Sequence, residues 1–229
     1  MIGLFLIEDK MVRIKEIFTS IQGEGPYVGY KQLFIRFCSC NLNCDYCDTD
    51  FNIVNSKEYD VDELVNICNK NLDCHSVSLT GGEPLLEVNF LNEFLPACPI
   101  PVYLETNGTL YNNLKEIIDN VQYISADVKL PSCTGLKPLW EEHEKFFTVA
   151  SAKELYVKAV FDSKINDIEI AKMCGLCRKF DVELILQPKM IENVPAVNSN
   201  FMLEVLNKCL KQYNNTRLIP QVHKFINVI

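Results

Sequence analysis

Hydrophobic and polar positions follow two alternating periods along this chain. Short runs rich in β-branched and aromatic residues at 32–37, 76–80, 101–105, 123–127, 155–161 and 182–187 predict six strands. Between them, apolar residues recur every three or four positions, which predicts helices at 61–71, 89–95, 111–120 and 165–180, with a further helix at 200–213. Asp60 is placed to cap the first helix, and Asn198 or Ser199 the last. Repeated strand–helix alternation predicts a parallel sheet with helices outside it. No low-complexity run or linker divides the 229 residues, so one domain is expected. A better-patterned segment begins near Met11, which makes residues 1–11 readable as an N-terminal extension.

The polar signatures fall at one place in this pattern. Thr80-Gly81-Gly82-Glu83-Pro84, Glu105-Thr106-Asn107-Gly108, Asp127-Val128-Lys129 and Gln187-Pro188 each stand at the carboxyl end of an expected strand, and a cysteine-rich loop follows Phe37 in the same way. Ligand sites of α/β sheets form along that edge. Gly and Asn are ordinary turn residues, so any one case could be a plain turn. Five in register predict one pocket.

Composition narrows the partners. A net charge of -8 argues against non-specific binding to nucleic acid or to an anionic membrane. No stretch approaches the ~20 apolar residues that cross a bilayer. Residues 1–7 are apolar, but they are short, lack a basic leader and are followed by Glu8-Asp9. Unevenly spread cysteines without a signal sequence argue against a disulfide framework and predict a reducing cytoplasm.

The candidate chemistry centres on Cys40-Asn41-Leu42-Asn43-Cys44-Asp45-Tyr46-Cys47. Three thiols in such a loop can hold a [4Fe–4S] cluster and leave one iron open. Structural zinc needs a fourth ligand, for which His75 or His223 would have to serve. Cys38 reads as strand packing; Cys68, Cys74, Cys98, Cys133 and Cys209, and the helical pair Cys174 and Cys177, read as buried apolar residues. An open iron can chelate an amino acid through its amine and carboxylate, and S-adenosylmethionine is such a ligand. Gly81-Gly82 would let backbone approach it, and Glu83 could take an ammonium.

The CxxxCxxC loop followed by Gly-Gly-Glu-Pro resembles the radical S-adenosylmethionine superfamily. Within it, Glu16-Ile17-Phe18, Ile21-Gln22-Gly23-Glu24-Gly25, Gly29, Phe34-Ile35-Arg36-Phe37, Cys44-Asp45-Tyr46-Cys47-Asp48-Thr49, the strand-end signatures above and Pro220-Gln221-Val222-His223-Lys224 resemble the 7-carboxy-7-deazaguanine synthases. The similarity runs from about residue 12 to about residue 224. It implies a partial, open (β/α)6-type TIM barrel with parallel strands, the radical SAM core. It also implies ring contraction of 6-carboxy-5,6,7,8-tetrahydropterin to 7-carboxy-7-deazaguanine with loss of ammonia, in queuosine or deazapurine biosynthesis. A 5′-deoxyadenosyl radical starts that reaction, and magnesium assists.

By the same resemblance, Cys40, Cys44 and Cys47 hold the cluster and Thr49 binds magnesium. Tyr46, Cys47, Asp48, Gly81, Gly82, Glu83, Asp127, Lys129 and Gln187 form the S-adenosylmethionine site. Ile21, Gln22, Gly23, Glu24, Arg36, Thr80, Asn107 and His223 contact the pterin, with no catalytic side chain beyond cluster and cofactor. The Gln22 amide can offer donor and acceptor, Glu24 can accept from an amino-pyrimidine, and Arg36 can fork a carboxylate. A flavodoxin- or ferredoxin-type electron donor and a homodimer are implied as well. The apolar residues 225–229 stand where relatives can place a C-terminal carboxylate, and residues 131–152, with Trp140, read as a lid or an interface. A glycyl-radical activating enzyme shares the cysteine loop and the glycine turn but lacks the 21–25 segment. A non-catalytic zinc or electron-transfer module is the third reading.

Overall fold

The computed structural model describes residues 11–47, 52–226 and 228. Residues 1–10 of the expected extension, together with Asp48 and Thr49, lie outside the described residues. The chain begins with β1 (Met11–Ile21), which runs antiparallel to β2 (Lys31–Phe37) and to β3 (Lys57–Asp60). Helix α1 (Val61–Asn69) leads to β4 (Ser76–Gly81), α2 (Val88–Phe94) to β5 (Val102–Thr106), and α3 (Tyr111–Ile117) to β6 (Tyr123–Asp127). Two helices, α4 (Pro131–Thr134) and α5 (Trp140–Ala150), precede β7 (Glu154–Phe161), and α6 (Asp167–Phe180) precedes β8 (Glu183–Pro188). A short hairpin, β9 (Met190–Ile191) with β10 (Val194–Pro195), is followed by α7 (Ser199–Leu210), β11 (Thr216–Leu218) and α8 (Val222–Ile226).

Among the described residues one nine-stranded sheet has the order β11-β8-β7-β6-β5-β4-β2-β1-β3. From β2 to β11 every pairing is parallel, as the alternation predicts. Strands β3 and β11 form the two edges, so the barrel is open. The segment 131–152 contains α4 and α5: α5 buries His143, Phe146, Phe147 and Ala150 and packs on α3 and α6. Strand β1 escapes a period-two reading because its register shifts between Ile14 and Glu16, a bulge that changes which side chains face inward.

Local signals fix the helix starts. The Asp60 carboxylate accepts from Glu63 N at 2.8 Å, and the Glu63 carboxylate accepts from Asp60 N at 3.0 Å, closing a capping box. Asn166 and Glu169 repeat it on α6, and Asn198 accepts from Phe201 N at 3.0 Å to start α7. The main core lies between sheet and helices, where Phe37, Phe94, Phe146, Phe147 and Phe161 are fully buried. Each such ring contributes roughly 1.5–3 kcal/mol over exposure. A separate cluster of Tyr27, Tyr103, Tyr156 and Ile185 fills the N-terminal halves of β5, β7 and β8. The open space inside the sheet is thereby left at the carboxyl ends of the strands.

Candidate functional site

That space is a cavity of about 520 Å³. Its wall contains Cys40, Cys44, Tyr46 and Cys47 from the cysteine loop, Gly81 from the end of β4 and Gly82 from the turn after it. Ile21, Gln22, Gly23, Glu24 and Arg36 line the same cavity, as do Thr80, Asn107 and His223. Asp127, Lys129 and Gln187 reach it from β6, the turn after it and β8. Among the expected site residues that are described, Glu83 alone is off the wall.

Backbone contacts shape the cysteine loop. Gly82 N donates to Phe37 O at 3.2 Å, Glu83 N to Ser39 O at 2.9 Å, and Asp45 N to Thr134 O at 3.0 Å. The Ser39 carbonyl occupies the place of any side chain at Gly82, so that position requires glycine. Asn107 Nδ2 donates to Asn41 Oδ1 at 2.7 Å, and Asn41 Nδ2 to Thr109 Oγ1 at 3.0 Å. Asn107 therefore struts the loop from β5.

The donor set fits a [4Fe–4S] cluster. Three thiols share one cavity, and no disulfide joins any cysteines among the described residues. Nor do any three His, Cys, Asp or Glu side chains among those residues converge on a single-ion position. A cubane takes each thiolate on a different iron, so ligands spread around a rim suit it. Burial pushes the Cys44 thiol up to about 11 and raises Cys40 too, so iron must displace their protons. His75 cannot complete a zinc site here: it precedes β4, at the opposite edge of the sheet, and packs 4.2 Å from the Tyr30 ring.

Glu83 is the expected site residue that does not line the cavity. It is fully buried, and its carboxyl group accepts from Thr106 Oγ1 at 2.9 Å, Asn107 N at 2.8 Å and Leu85 N at 3.1 Å. Burial pushes its pKa up to about 7. The side chain ties the glycine turn to the end of β5, and the turn presents backbone to the cavity instead. Sequence spacing could not reveal which way this side chain points.

At β6, Lys129 Nζ donates to Asp127 Oδ2 at 2.8 Å and to the Tyr46 hydroxyl at 3.3 Å. Burial alone would lower the Lys129 pKa, but Asp127 and Tyr46 outweigh it and raise it. His143 Nε2 accepts from Lys129 N at 3.2 Å while Nδ1 donates to Gly108 O at 3.1 Å. Asp127 lines the cavity, and its Oδ1 is buried without a hydrogen-bond partner among the described residues.

The expected pterin residues are more engaged with one another than their types suggest. Gln22 Nε2 donates to Gln32 Oε1 at 3.0 Å and to Glu105 Oε1 at 2.8 Å, while Gln22 Oε1 accepts from Glu24 N at 3.0 Å. Both Gln22 amide protons are thus spent on protein, which leaves it an acceptor only. Thr80 Oγ1 donates to Glu105 Oε2 at 2.8 Å. Arg36 Nε donates to Glu16 at 3.0 Å and its guanidinium lies 5.6 Å from the Phe18 ring centre. Its terminal nitrogens have no partner among the described residues, so the fork is available to a carboxylate. The His223 ring lies against the backbone of Gly23, and Val222 N donates to Gly23 O at 2.8 Å.

Sequence reasoning missed Lys158. It pairs with Glu24 and lies 3.8 Å from Asp127 Oδ2. A lysine in the apolar run Leu-Tyr-Val-Lys-Ala-Val-Phe was the available signal, since a charge there needs a buried partner. Burial raises the Glu24 pKa, but Lys158 and Gln221 outweigh it and hold the carboxylate down to about 2.

Known proteins resemble this chain. The Radical SAM superfamily model matches residues 34–143. The 7-carboxy-7-deazaguanine synthase of Geobacter sulfurreducens is 35% identical, over 93% of this chain and 96% of its own. That of Archaeoglobus fulgidus is 33% identical, over 93% of this chain and 97% of its own. The crystal structure of QueE from Escherichia coli superposes with a TM-score of 0.64 at 17% identity, covering 93% of this chain and 95% of that one, a likeness of fold. A cysteine loop, a glycine turn and a polar cavity at the open edge of one parallel sheet, with this similarity along nearly the whole length, mean that the chain belongs to the 7-carboxy-7-deazaguanine synthase family of radical SAM enzymes.

Proposed function

We propose that this chain converts 6-carboxy-5,6,7,8-tetrahydropterin to 7-carboxy-7-deazaguanine and ammonia, on the route to queuosine and related deazapurines. One observation carries the reading: the cysteine loop, the glycine turn and the 21–24 segment with Arg36 line a single cavity. When bound, the cluster and S-adenosylmethionine supply the 5′-deoxyadenosyl radical that starts the ring contraction. The chain's residues bind and orient. Gly81 and Gly82 offer backbone to the cofactor, and Glu83 fixes that turn from behind. Asp127 Oδ1 accepts a hydrogen bond from the cofactor, and Lys129 holds Asp127 and Tyr46 in place. Arg36 takes the substrate carboxylate. By the resemblance, Thr49 would hold the magnesium ion. A cytoplasmic homodimer fed by a flavodoxin- or ferredoxin-type donor completes the reading.

Reconstituted, reduced protein given S-adenosylmethionine, magnesium and the tetrahydropterin should form deazaguanine many times per cofactor molecule, followed by mass spectrometry. Free 5′-deoxyadenosine without deazaguanine would sink the substrate and favour a protein substrate instead. Arg36→Ala should cut deazaguanine formation at least tenfold while uncoupled cofactor cleavage persists; equal loss of both would remove Arg36 from the substrate site.

A further inference from the structure

Away from the cavity, two pairs of cysteines meet across helices and turns. Cys174 on α6 meets Cys209 on α7, its Sγ 4.0 Å from the Cys209 carbonyl, and both residues are fully buried. Cys68, in the last turn of α1, meets Cys98, which follows the single turn Leu95–Ala97 before β5. Their sulfurs are 3.9 Å apart although 30 positions separate them in the chain. Cys68 is fully buried, whereas Cys98 is half-buried and flanked by exposed Pro96, Ala97 and Pro99. A small reagent can therefore reach one sulfur of this pair and neither sulfur of the helix pair. Contact with the Cys68 thiol lowers the Cys98 pKa, against burial, and the same contact together with burial raises that of Cys68. Thiolate is the reactive form of cysteine, so the accessible member is also the better nucleophile.

We propose that Cys68 and Cys98 are a redox modification site, closed by a small-molecule disulfide into a bond that staples two strand–helix units together. The Cys98 thiolate attacks one sulfur of that reagent, whose S–S bond breaks; a mixed disulfide forms and one thiolate leaves. Cys68 then gives its proton to solvent and attacks the Cys98 sulfur, which releases the second thiolate. Two protein thiols are oxidised and one reagent disulfide is reduced to two thiols, so the step needs no metal and no further oxidant. The second attack joins groups already in contact, which makes it effectively unimolecular. An S–S bond is about 2.05 Å long, so the sulfurs close from 3.9 Å by rotation about their Cα–Cβ bonds.

The bond closes the chain from Cys68 to Cys98, a span that contains β4, the glycine turn and α2. A cross-link of that length restricts the unfolded chain and so favours the folded one. The pair lies after α1 and before β5, at the sheet edge opposite the cavity, so the cysteine loop 40–47 takes no part. Under reducing conditions both thiols persist, and the site responds to a rise of disulfide over thiol. Cys74 is the competing partner: it is 6% exposed and close enough to Cys68 to add to the rise in its pKa.

The test treats anaerobic, cluster-loaded protein with bis(2-hydroxyethyl) disulfide, quenches it in acid, alkylates it unfolded and maps all 11 cysteines by mass spectrometry. The expected product is a Cys68–Cys98 cross-link two hydrogens lighter than the thiol pair, with Cys174 and Cys209 still free to alkylate. Cys74→Ser should keep the cross-link and Cys98→Ser should abolish it. Treated wild-type protein should melt at least about 5 °C above the same sample returned to thiols by dithiothreitol, and Cys98→Ser should show no such difference. A mixed disulfide that stays on Cys98 would make Cys68 a packing residue only and overturn the site. A cross-link to Cys74 would do the same. Modification of Cys174 and Cys209 at the rate of Cys98 would mean that unfolding, not access, governs the reaction, and would also overturn it. A cross-link that leaves the melting temperature unchanged overturns the staple. If Cys98→Ser does not fold, the wild-type map and its melting shift decide alone.

Discussion

At the scale of single residues, two buried ionisable groups hold the site together with opposite pH signatures. Glu83 has its pKa pushed from 4.5 to about 7 by burial, so the fold favours its protonated form. Its contribution to stability is full below pH 4.5 and is lost as the pH climbs through 7. Between pH 5.5 and 7 the loss amounts to about 2 kcal/mol. Glu83→Gln keeps the shape and cannot ionise. Urea unfolding at those two pH values should therefore show a wild-type-minus-variant stability difference that grows by that amount on acidification; a pH-independent difference would mean that Glu83 stays ionised. His143 has the reverse sign. Burial lowers its pKa from 6.5 to about 4, so its contribution is full above pH 6.5 and fades as the pH falls to 4. Lys31 and Arg13, in exposed ion pairs, add little by comparison.

At the scale of elements, α5 does more than cover the sheet. Its His143 satisfies Gly108 O after β5 and Lys129 N after β6, tying two strand ends that face the cavity. His143→Leu fills the volume but strands both backbone groups, at a cost of about 2–4 kcal/mol. The expected outcome is that thermal unfolding shifts down and S-adenosylmethionine affinity falls, while His143→Gln, which can still accept and donate, recovers part of both. If the leucine variant bound the cofactor as wild type, the clamp would have no part in positioning Lys129. Neither α5 nor α4 was legible in the chain. Leu139 and Leu130 precede them without capping side chains, and α4 is a single turn. The helices α1, α6 and α7 were legible because Asp60, Asn166 and Asn198 make their caps locally.

At the scale of the whole molecule, the chain's last described helix returns to its first strand. Helix α8 sets His223 on Gly23 and donates Val222 N to Gly23 O, which closes the cavity beside the 21–24 segment. Removing residues 222–229 should leave iron content and far-UV circular dichroism unchanged and weaken 6-carboxypterin at least tenfold; unchanged affinity would show that α8 is only a surface helix. The sequence by itself determined the parallel αβ order, the edge where ligands gather and the three cysteines, because each follows from periodicity or spacing over a few residues. Tertiary structure alone decided that Glu83 turns inward, that Gln22 spends its amide protons on Gln32 and Glu105, and that Lys158 stands over Glu24. Those outcomes join residues from 10 to 134 positions apart. Which buried polar groups find each other across such distances depends on how the sheet curls, and no local pattern encodes that.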